Sequence, residues 1–153
     1  MGAAFPEPEW FLALGRLMRS EGELFGRLGY AETRFAVRVI ADNGEDPARD
    51  RIVGLVIDGY ALTDARALSG SRELAAFDPD FAICAPCGVW QRMLDEIARN
   101  GRPELRHTLS SLALVGEEMW LESSDQLRED KFYRYNQTLQ EMLNLAGRTA
   151  RGD

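Results

Sequence analysis

Apolar residues recur at helical spacing in three long segments of the chain. The first predicted helix lies in EWFLALGRLMRS, where the apolar face consists of Trp10, Phe11, Leu14, Leu17 and Met18. The segment VWQRMLDEIARNG predicts a second amphipathic helix that ends at Gly101. The third is a C-terminal helix over about 125–146, with Ser124 or Asp125 as its cap. Each of these helices needs an apolar surface to pack on.

Between the first two helices the period changes from about four residues to two. In TRFAVRVIAD, Phe35, Val37 and Val39 alternate with polar or small residues, which is the pattern of a half-buried strand. The polar stretch from Asn43 to Asp50 is rich in turn formers. The segment RIVGLVIDGYAL then resumes as a more apolar strand. The two strands are predicted to form an antiparallel hairpin with a long tip.

The remaining strands are shorter. A short edge strand is predicted around Ala67, a strand over Phe81 to Ala85, and a last strand over Leu112 to Val115 that ends at Gly116. The predicted fold is therefore α+β, a mostly antiparallel sheet of about five strands covered by helices.

Length and composition predict one domain over residues 1–153, with a frayed tail at 147–153. Hydrophobic residues make up 45% and charged residues 28%, as in ordinary globular proteins. The net charge of −7 argues against nucleic-acid binding. Because no apolar run approaches the ~20 residues of a membrane span and no secretory signal opens the chain, we expect a cytoplasmic protein without stable membrane insertion. Arginine dominates the basic residues, which suggests a bacterial source.

Both cysteines lie in one motif, Cys84-Ala85-Pro86-Cys87, where a predicted strand gives way to a predicted helix. A helix N-terminus lowers a thiol pKa, so a thiol-dependent redox enzyme must be considered. In the alternative interpretation, Cys84 is a small buried hydrophobe on the strand. A structural zinc site needs four Cys or His ligands, and the chain offers only these two and His107. We therefore predict no metal and no cofactor.

Other polar candidates lack the partners that catalysis requires. His107 is the only histidine, and no nucleophile signature or phosphate-binding loop accompanies it. We expect it to be solvated or to lie at a helix end. The acidic residues Glu117, Glu118, Glu122 and Asp125 are expected to have structural roles, because carboxylates near helix starts complement the helix dipole. No catalytic residue is predicted.

The order of motifs resembles that of the sterol carrier protein type 2 superfamily, the non-specific lipid-transfer domains. The resemblance rests on FPEPEWFLALGRLM, the two alternating strands, FDPDFAICAPCGVWQRML and GRPELRHTLSSLALVGEE. Within these, Asp80 stands at a strand entry, Pro86 precedes Trp90 and an apolar helix, and Gly116 is followed by Glu117. Under this resemblance Pro86 is the structural residue and the two cysteines are incidental.

The resemblance implies non-enzymatic binding or transfer of a sterol, fatty acid or acyl thioester in an apolar pocket between the sheet and its helices. Numerous aromatic rings and adaptable methionines are consistent with such a pocket. The predicted lining residues are Phe35, Val37, Ile83, Trp90, Met93, Leu139 and Met142. The alternatives are a redox enzyme using Cys84 and Cys87, and a homodimerisation or accessory module without ligand.

Overall fold

The structure, a computed structural model, describes residues 3–41 and 50–150. Its helices are α1 (Pro8–Ser20), α2 (Gly22–Leu28), α3 (Ser71–Phe77), α4 (Cys87–Asn100), α5 (Leu109–Val115), α6 (Gln126–Asn144) and α7 (Ala146–Ala150), with a 3-10 turn at Leu105–His107. Its strands are β1 (Ala31–Ile40), β2 (Arg51–Gly59), β3 (Leu62–Leu68), β4 (Phe81–Pro86) and β5 (Trp120–Glu122). The predicted α+β class and the three long helices are confirmed.

The five strands form one sheet in the order β3-β2-β1-β4-β5. All neighbouring pairs are antiparallel except β1 and β4, which run parallel. The predicted hairpin is confirmed as β1 and β2, and the edge strand predicted around Ala67 is β3. Of the predicted hairpin tip from Asn43 to Asp50, all but Asp50 lies outside the described residues.

The two faces of the sheet differ in how they are covered. One face packs under α1, α4 and α6 and forms the main core, which includes Phe35 and Val37 of β1 and their β4 partners Phe81 and Ile83. On the other face α3 supplies Phe77 to a smaller cluster. Alternation along β1 and β4 therefore sends large apolar side chains to the helical side.

The structure overturns one predicted strand. Leu112 to Val115 belongs to helix α5, because the Thr108 hydroxyl caps that helix by accepting a hydrogen bond from Ser111 N at 3.2 Å. Gly116, at φ 76°, ends the helix in the left-handed conformation. The fifth strand is instead Trp120–Glu122, which pairs with β4. A four-residue apolar run fits either element, and the caps decide between them.

The C-terminal segment is more ordered than the sequence predicts. Helix α6 begins at the predicted cap, where Asp125 accepts a hydrogen bond from Arg128 N at 2.9 Å. After a turn at Leu145 the chain continues as α7, which includes residues 147–150 of the expected frayed tail. The Arg148 guanidinium donates to Glu21 at 2.6 Å and so ties α7 to the end of α1. Residues 151–153 lie outside the described part.

Within residues 3–41 and 50–150, no helix combines the length and the apolar character that a membrane span requires.

Candidate functional site

The seven predicted lining residues come from four elements and belong to one cluster of buried side chains. Strands β1 and β4 supply the sheet side of the cluster, and α4 and α6 supply the helical side. Each of the seven is at most 3% exposed. The indole N–H of Trp90 donates to the backbone oxygen of Arg38 at 3.3 Å, which fixes the ring against β1. These side chains pack with the rest of the cluster between the sheet and the helices.

Methionines are the most adaptable part of that core. Met18, Met93, Met119 and Met142 are each at most 1% exposed and belong to the same cluster. A methionine side chain is unbranched and can fit cavities of different shape at low cost. The core therefore contains groups that can rearrange around an inserted molecule.

A chain of aromatic rings leads from the core to the surface. The Phe5 ring lies 5.8 Å from the Trp90 ring and 5.0 Å from the Trp10 ring, between ring centroids. Trp10 in turn lies 4.9 Å from Phe11, which is fully buried. Phe5 and Trp10 are only half-buried. They connect Trp90 to the outside of the molecule.

These two rings face a surface cleft of about 500 Å³, here called the N-terminal cleft. Its walls are the segment before α1, the outer sides of α1 and α4, and α7. The lining residues are Ala3, Ala4, Phe5, Trp10, Ala13, Gln91, Leu94, Asp95, Ala98, Ala146 and Thr149. None of the seven predicted residues is among them. Sequence reasoning missed this cleft, and the only signal for it was the aromatic pair beside Pro6 and Pro8.

A second cleft, of about 450 Å³, lies at the other end of β1 and is polar. Asp80 is one of its lining residues and accepts hydrogen bonds from the Thr33 hydroxyl at 2.8 Å and from Arg34 N at 3.2 Å. Lys131 and Arg128 of α6 also donate to this carboxylate, at 3.2 and 3.3 Å. Burial raises the pKa of Asp80, but the hydrogen bonds from Thr33 and Lys131 outweigh it and hold the pKa below its ordinary value. The arrangement joins α6 to the sheet.

The two cysteines do not form a reactive pair in this structure. Cys84 is fully buried on the sheet face opposite Ile83, and Cys87 begins α4. Burial, together with the nearby Glu122 carboxylate, raises the pKa of the Cys84 thiol to about 12. A thiol with that pKa is protonated at neutral pH and is a poor nucleophile. The geometry favours the interpretation of Cys84 as a buried hydrophobe.

We expect Cys84 to stay unmodified when the folded protein is treated with a disulfide reagent such as DTNB, because only the thiolate reacts and it is buried. The measurement is the amount of protein thiol that reacts with DTNB in a Cys87→Ser variant, first in the folded protein and then in denaturant. One thiol should appear only after denaturation. Prompt reaction of the folded variant would contradict this assignment and restore the thiol enzyme as a candidate.

His107 lies at a helix end, as one of the two predicted alternatives has it, and its side chain is partnered rather than solvated. It ends the 3-10 turn, its side chain is 13% exposed, and its Nδ1 lies 2.7 Å from an oxygen of the buried Glu96. The other Glu96 oxygen accepts from Glu104 N at 3.0 Å. Burial raises the pKa of Glu96, but the hydrogen bonds from Glu104 N and His107 outweigh it and lower the pKa. Ligand atoms of Glu96, Glu104 and His107 lie within 4.8 Å of one another, which could suit a metal ion, yet these hydrogen bonds already account for the grouping.

Three of the four acidic candidates, Glu118, Glu122 and Asp125, have structural partners, and of these Asp125 lies at a helix start as the sequence predicts. Glu118 accepts from the Arg92 guanidinium at 3.1 and 3.3 Å, and Glu122 pairs with Arg38 at 3.4 Å. Asp125 caps α6. These contacts tie helices and strands together, and they do not arrange the three carboxylates around a common space.

No protein-family model and no curated protein sequence matches the chain. Two solved structures share its architecture. The crystal structure of sterol carrier protein 2 is 24% identical, with a TM-score of 0.64, and the match covers 94% of this chain and 98% of that protein. The solution structure of a conserved Thermus thermophilus protein, described as possibly a sterol carrier protein, is 22% identical with a TM-score of 0.63 and covers 95% and 92%. The chain therefore has the sterol carrier protein 2-like fold.

Proposed function

We propose that this protein binds a hydrophobic ligand, such as a sterol, fatty acid or acyl thioester, between its sheet and its helices, without catalysing a reaction. The observation that carries the proposal is the meeting of the seven predicted residues in one apolar cluster under α4 and α6. The fold supports it, because both structural neighbours are named as sterol carrier proteins or as candidates for that role. The ligand is held by removal of its apolar surface from water, worth about 25 cal/mol per Å².

Ligand entry requires the core to open, since the seven side chains are in contact with the rest of the cluster. The four buried methionines lower the free-energy cost of opening the core, because they can take up new rotamers around the ligand. Phe35, Val37 and Ile83 then form the floor of the pocket. Trp90, Met93, Leu139 and Met142 form its roof. The low reactivity expected of Cys84 supports binding over thiol chemistry as the role of this region.

The first experiment is a native mass spectrum of the gently purified protein beside its denatured mass. A lipid-sized added mass that disappears on denaturation supports the carrier and reveals the ligand class. The same spectrum records a dimer without any bound small molecule if the chain is an accessory module, and that result would contradict the proposal.

We expect Trp90 to report ligand binding. A protein that keeps only Trp90, made with Trp10→Phe and Trp120→Phe, should change its fluorescence when 1-dodecanol is added, because the ligand replaces side chains around a ring that is 1% exposed. The matched control keeps only Trp120, which lies in the small cluster on the opposite sheet face. Its signal should stay flat. Equal responses in the two proteins, with folding verified by circular dichroism, would place the ligand elsewhere.

A further inference from the structure

We infer that the N-terminal cleft is the mouth of the ligand pocket and that it selects ligands with an uncharged hydroxyl head over ligands with a carboxylate head. The inference rests on the proposed function and adds the class of ligand. It follows from the position of the cleft, from the ring that separates it from the core, and from the charges on its walls.

The position of the cleft suits a pocket mouth. Its volume of about 500 Å³ falls within the range of small-molecule sites, roughly 300–1,000 Å³. Alanines on three of its walls, Ala13, Ala98 and Ala146, keep the helices from filling it. The Phe5 ring stands between the cleft and Trp90, since Phe5 lines the cleft and lies 5.8 Å from Trp90. An apolar tail that displaces Phe5 thus reaches the predicted lining residues.

Phe5 is the ring best placed to move. It precedes α1 and lies outside the helices and strands of the described chain, so its displacement breaks no hydrogen bond of those elements. Phe5 lies within the backbone turn that Glu7 N closes by donating to Ala4 O at 2.7 Å, and rotation of the ring about its side-chain bonds leaves that hydrogen bond in place. Trp10, by contrast, belongs to α1 and keeps its place beside Phe11. The mouth is therefore formed by one ring that can move and one fixed ring.

The walls carry hydrogen-bonding groups and a single ionisable side chain. On α4 the Gln91 amide donates to Asp95 at 3.0 Å, and on α7 the Thr149 hydroxyl donates to Ala146 O at 2.8 Å. Among the described residues that line the cleft, Asp95 carries the only formal charge. A hydroxyl head can donate to Asp95 and accept from Gln91, whereas a carboxylate meets a negative charge that no cation of the described lining offsets. Exposed charges about 4 Å apart in water repel by an amount equivalent to roughly fivefold in affinity.

The test compares 1-dodecanol with dodecanoate, which have the same tail and differ in the head, by calorimetric titration at pH 7.5 and low salt. The wild type should bind the alcohol more tightly than the acid. Asp95→Asn should bind dodecanoate about fivefold more tightly than the wild type does. Dodecanol affinity should change less and in the opposite direction, because the amide oxygen at this position still accepts from a hydroxyl but without the negative charge. Asp95 is exposed, so this variant is expected to fold normally.

A matched control exists on α6, where Gln126 donates to Asp130 at 2.9 Å in the same i,i+4 arrangement. Asp130→Asn removes the same charge away from the cleft and should leave the ratio of the two affinities unchanged. Equal effects of the two substitutions, or equal binding of both probes by the wild type, would overturn the inference. A second variant, Ala98→Phe, fills the cleft and should lower the affinity for both probes. Unchanged affinities in this variant would also overturn the inference.

The outcomes separate this inference from the function on which it rests. Suppose that both probes bind and perturb Trp90 fluorescence but Asp95→Asn leaves the ratio of the two affinities unchanged. The proposed binding function is then supported, and the inference about the N-terminal cleft is wrong. If neither probe binds and the native mass shows no bound lipid, both the proposed binding function and the inference about the cleft are wrong.

Discussion

We expect Asp80→Asn to lower the free energy of unfolding by about 3 kcal/mol. The Asp80 carboxylate is mostly buried and accepts from the Thr33 hydroxyl, from Arg34 N and from Lys131. Thr33, Arg34 N and Lys131 donate to one oxygen of this carboxylate and Arg128 donates to the other. An amide that keeps its oxygen toward Thr33 removes the negative charge beside Lys131 and Arg128 and turns its N–H₂ group toward the Arg128 guanidinium. Because these contacts join α6 to β1 and to the start of β4, the helix that forms the roof of the proposed pocket loses its main polar attachment. Urea denaturation measures the loss.

Asp78→Asn is the matched control for this substitution. Asp78 also pairs with Arg128, at 2.8 Å, but its side chain is 71% exposed and exposed ion pairs contribute roughly 0–1 kcal/mol. Asparagine tolerates the left-handed conformation of this residue, whose φ is 55°. Equal losses in the two variants would mean that the Asp80 contacts contribute no more than a surface pair.

The contribution of Asp80 should also depend on pH. Since its pKa is lower in the folded protein than in the unfolded chain, the stabilisation is complete above the ordinary aspartate pKa of about 3.9. It is lost as the pH falls through the lowered folded value. The difference in stability between wild type and Asp80→Asn should therefore be largest at neutral pH and shrink below about pH 4. A difference in stability between the two proteins that grows as the pH falls would contradict this predicted pH dependence.

The long helices and the main hairpin could be predicted because their apolar periods extend over many residues. Helix α3 was missed, since its seven residues lie between turn-forming residues and show too few periods. The sequence predicts a strand where α5 lies, because LALV alone has no distinguishable period. The parallel pairing of β1 with β4 is a long-range contact, and no local pattern encodes which strands become neighbours.

The candidate site likewise has a part that the sequence predicts and a part that it does not. Periodicity finds the side of each element that faces the core, so all seven predicted lining residues are buried together. It does not distinguish a filled core from one that can open. The N-terminal cleft is formed by the outer sides of α1, α4 and α7 and by the segment before α1, and residues such as Asp95 lie on the polar side of an amphipathic helix. Apolar periodicity identifies buried faces, so it gives no signal for such exposed polar residues.

We expect Gly15→Ala to lower the free energy of unfolding by about 2 kcal/mol. A methyl group at Gly15, in the middle of α1, would lie 2.6 Å from the backbone oxygen of Leu62 and 3.3 Å from its Cβ. The backbone of β3 cannot move aside as a flexible side chain would, so α1 must shift away from the sheet. Alanine's higher helix propensity, worth about 1 kcal/mol, offsets only part of that cost. Thermal and urea denaturation measure the net effect.

Gly26→Ala provides the control, because Gly26 is exposed on α2 and a methyl group there meets nothing within 4 Å. That variant should gain up to about 1 kcal/mol from helix propensity. A Gly15→Ala protein as stable as Gly26→Ala would show that α1 can leave β3 cheaply, and the core could then open on that side. The expected loss has the opposite consequence. If the contact between α1 and β3 leaves no room for one methyl group, the opening that we propose lies on the side of α4 and α6, where Trp90, Leu139 and Met142 form the proposed roof.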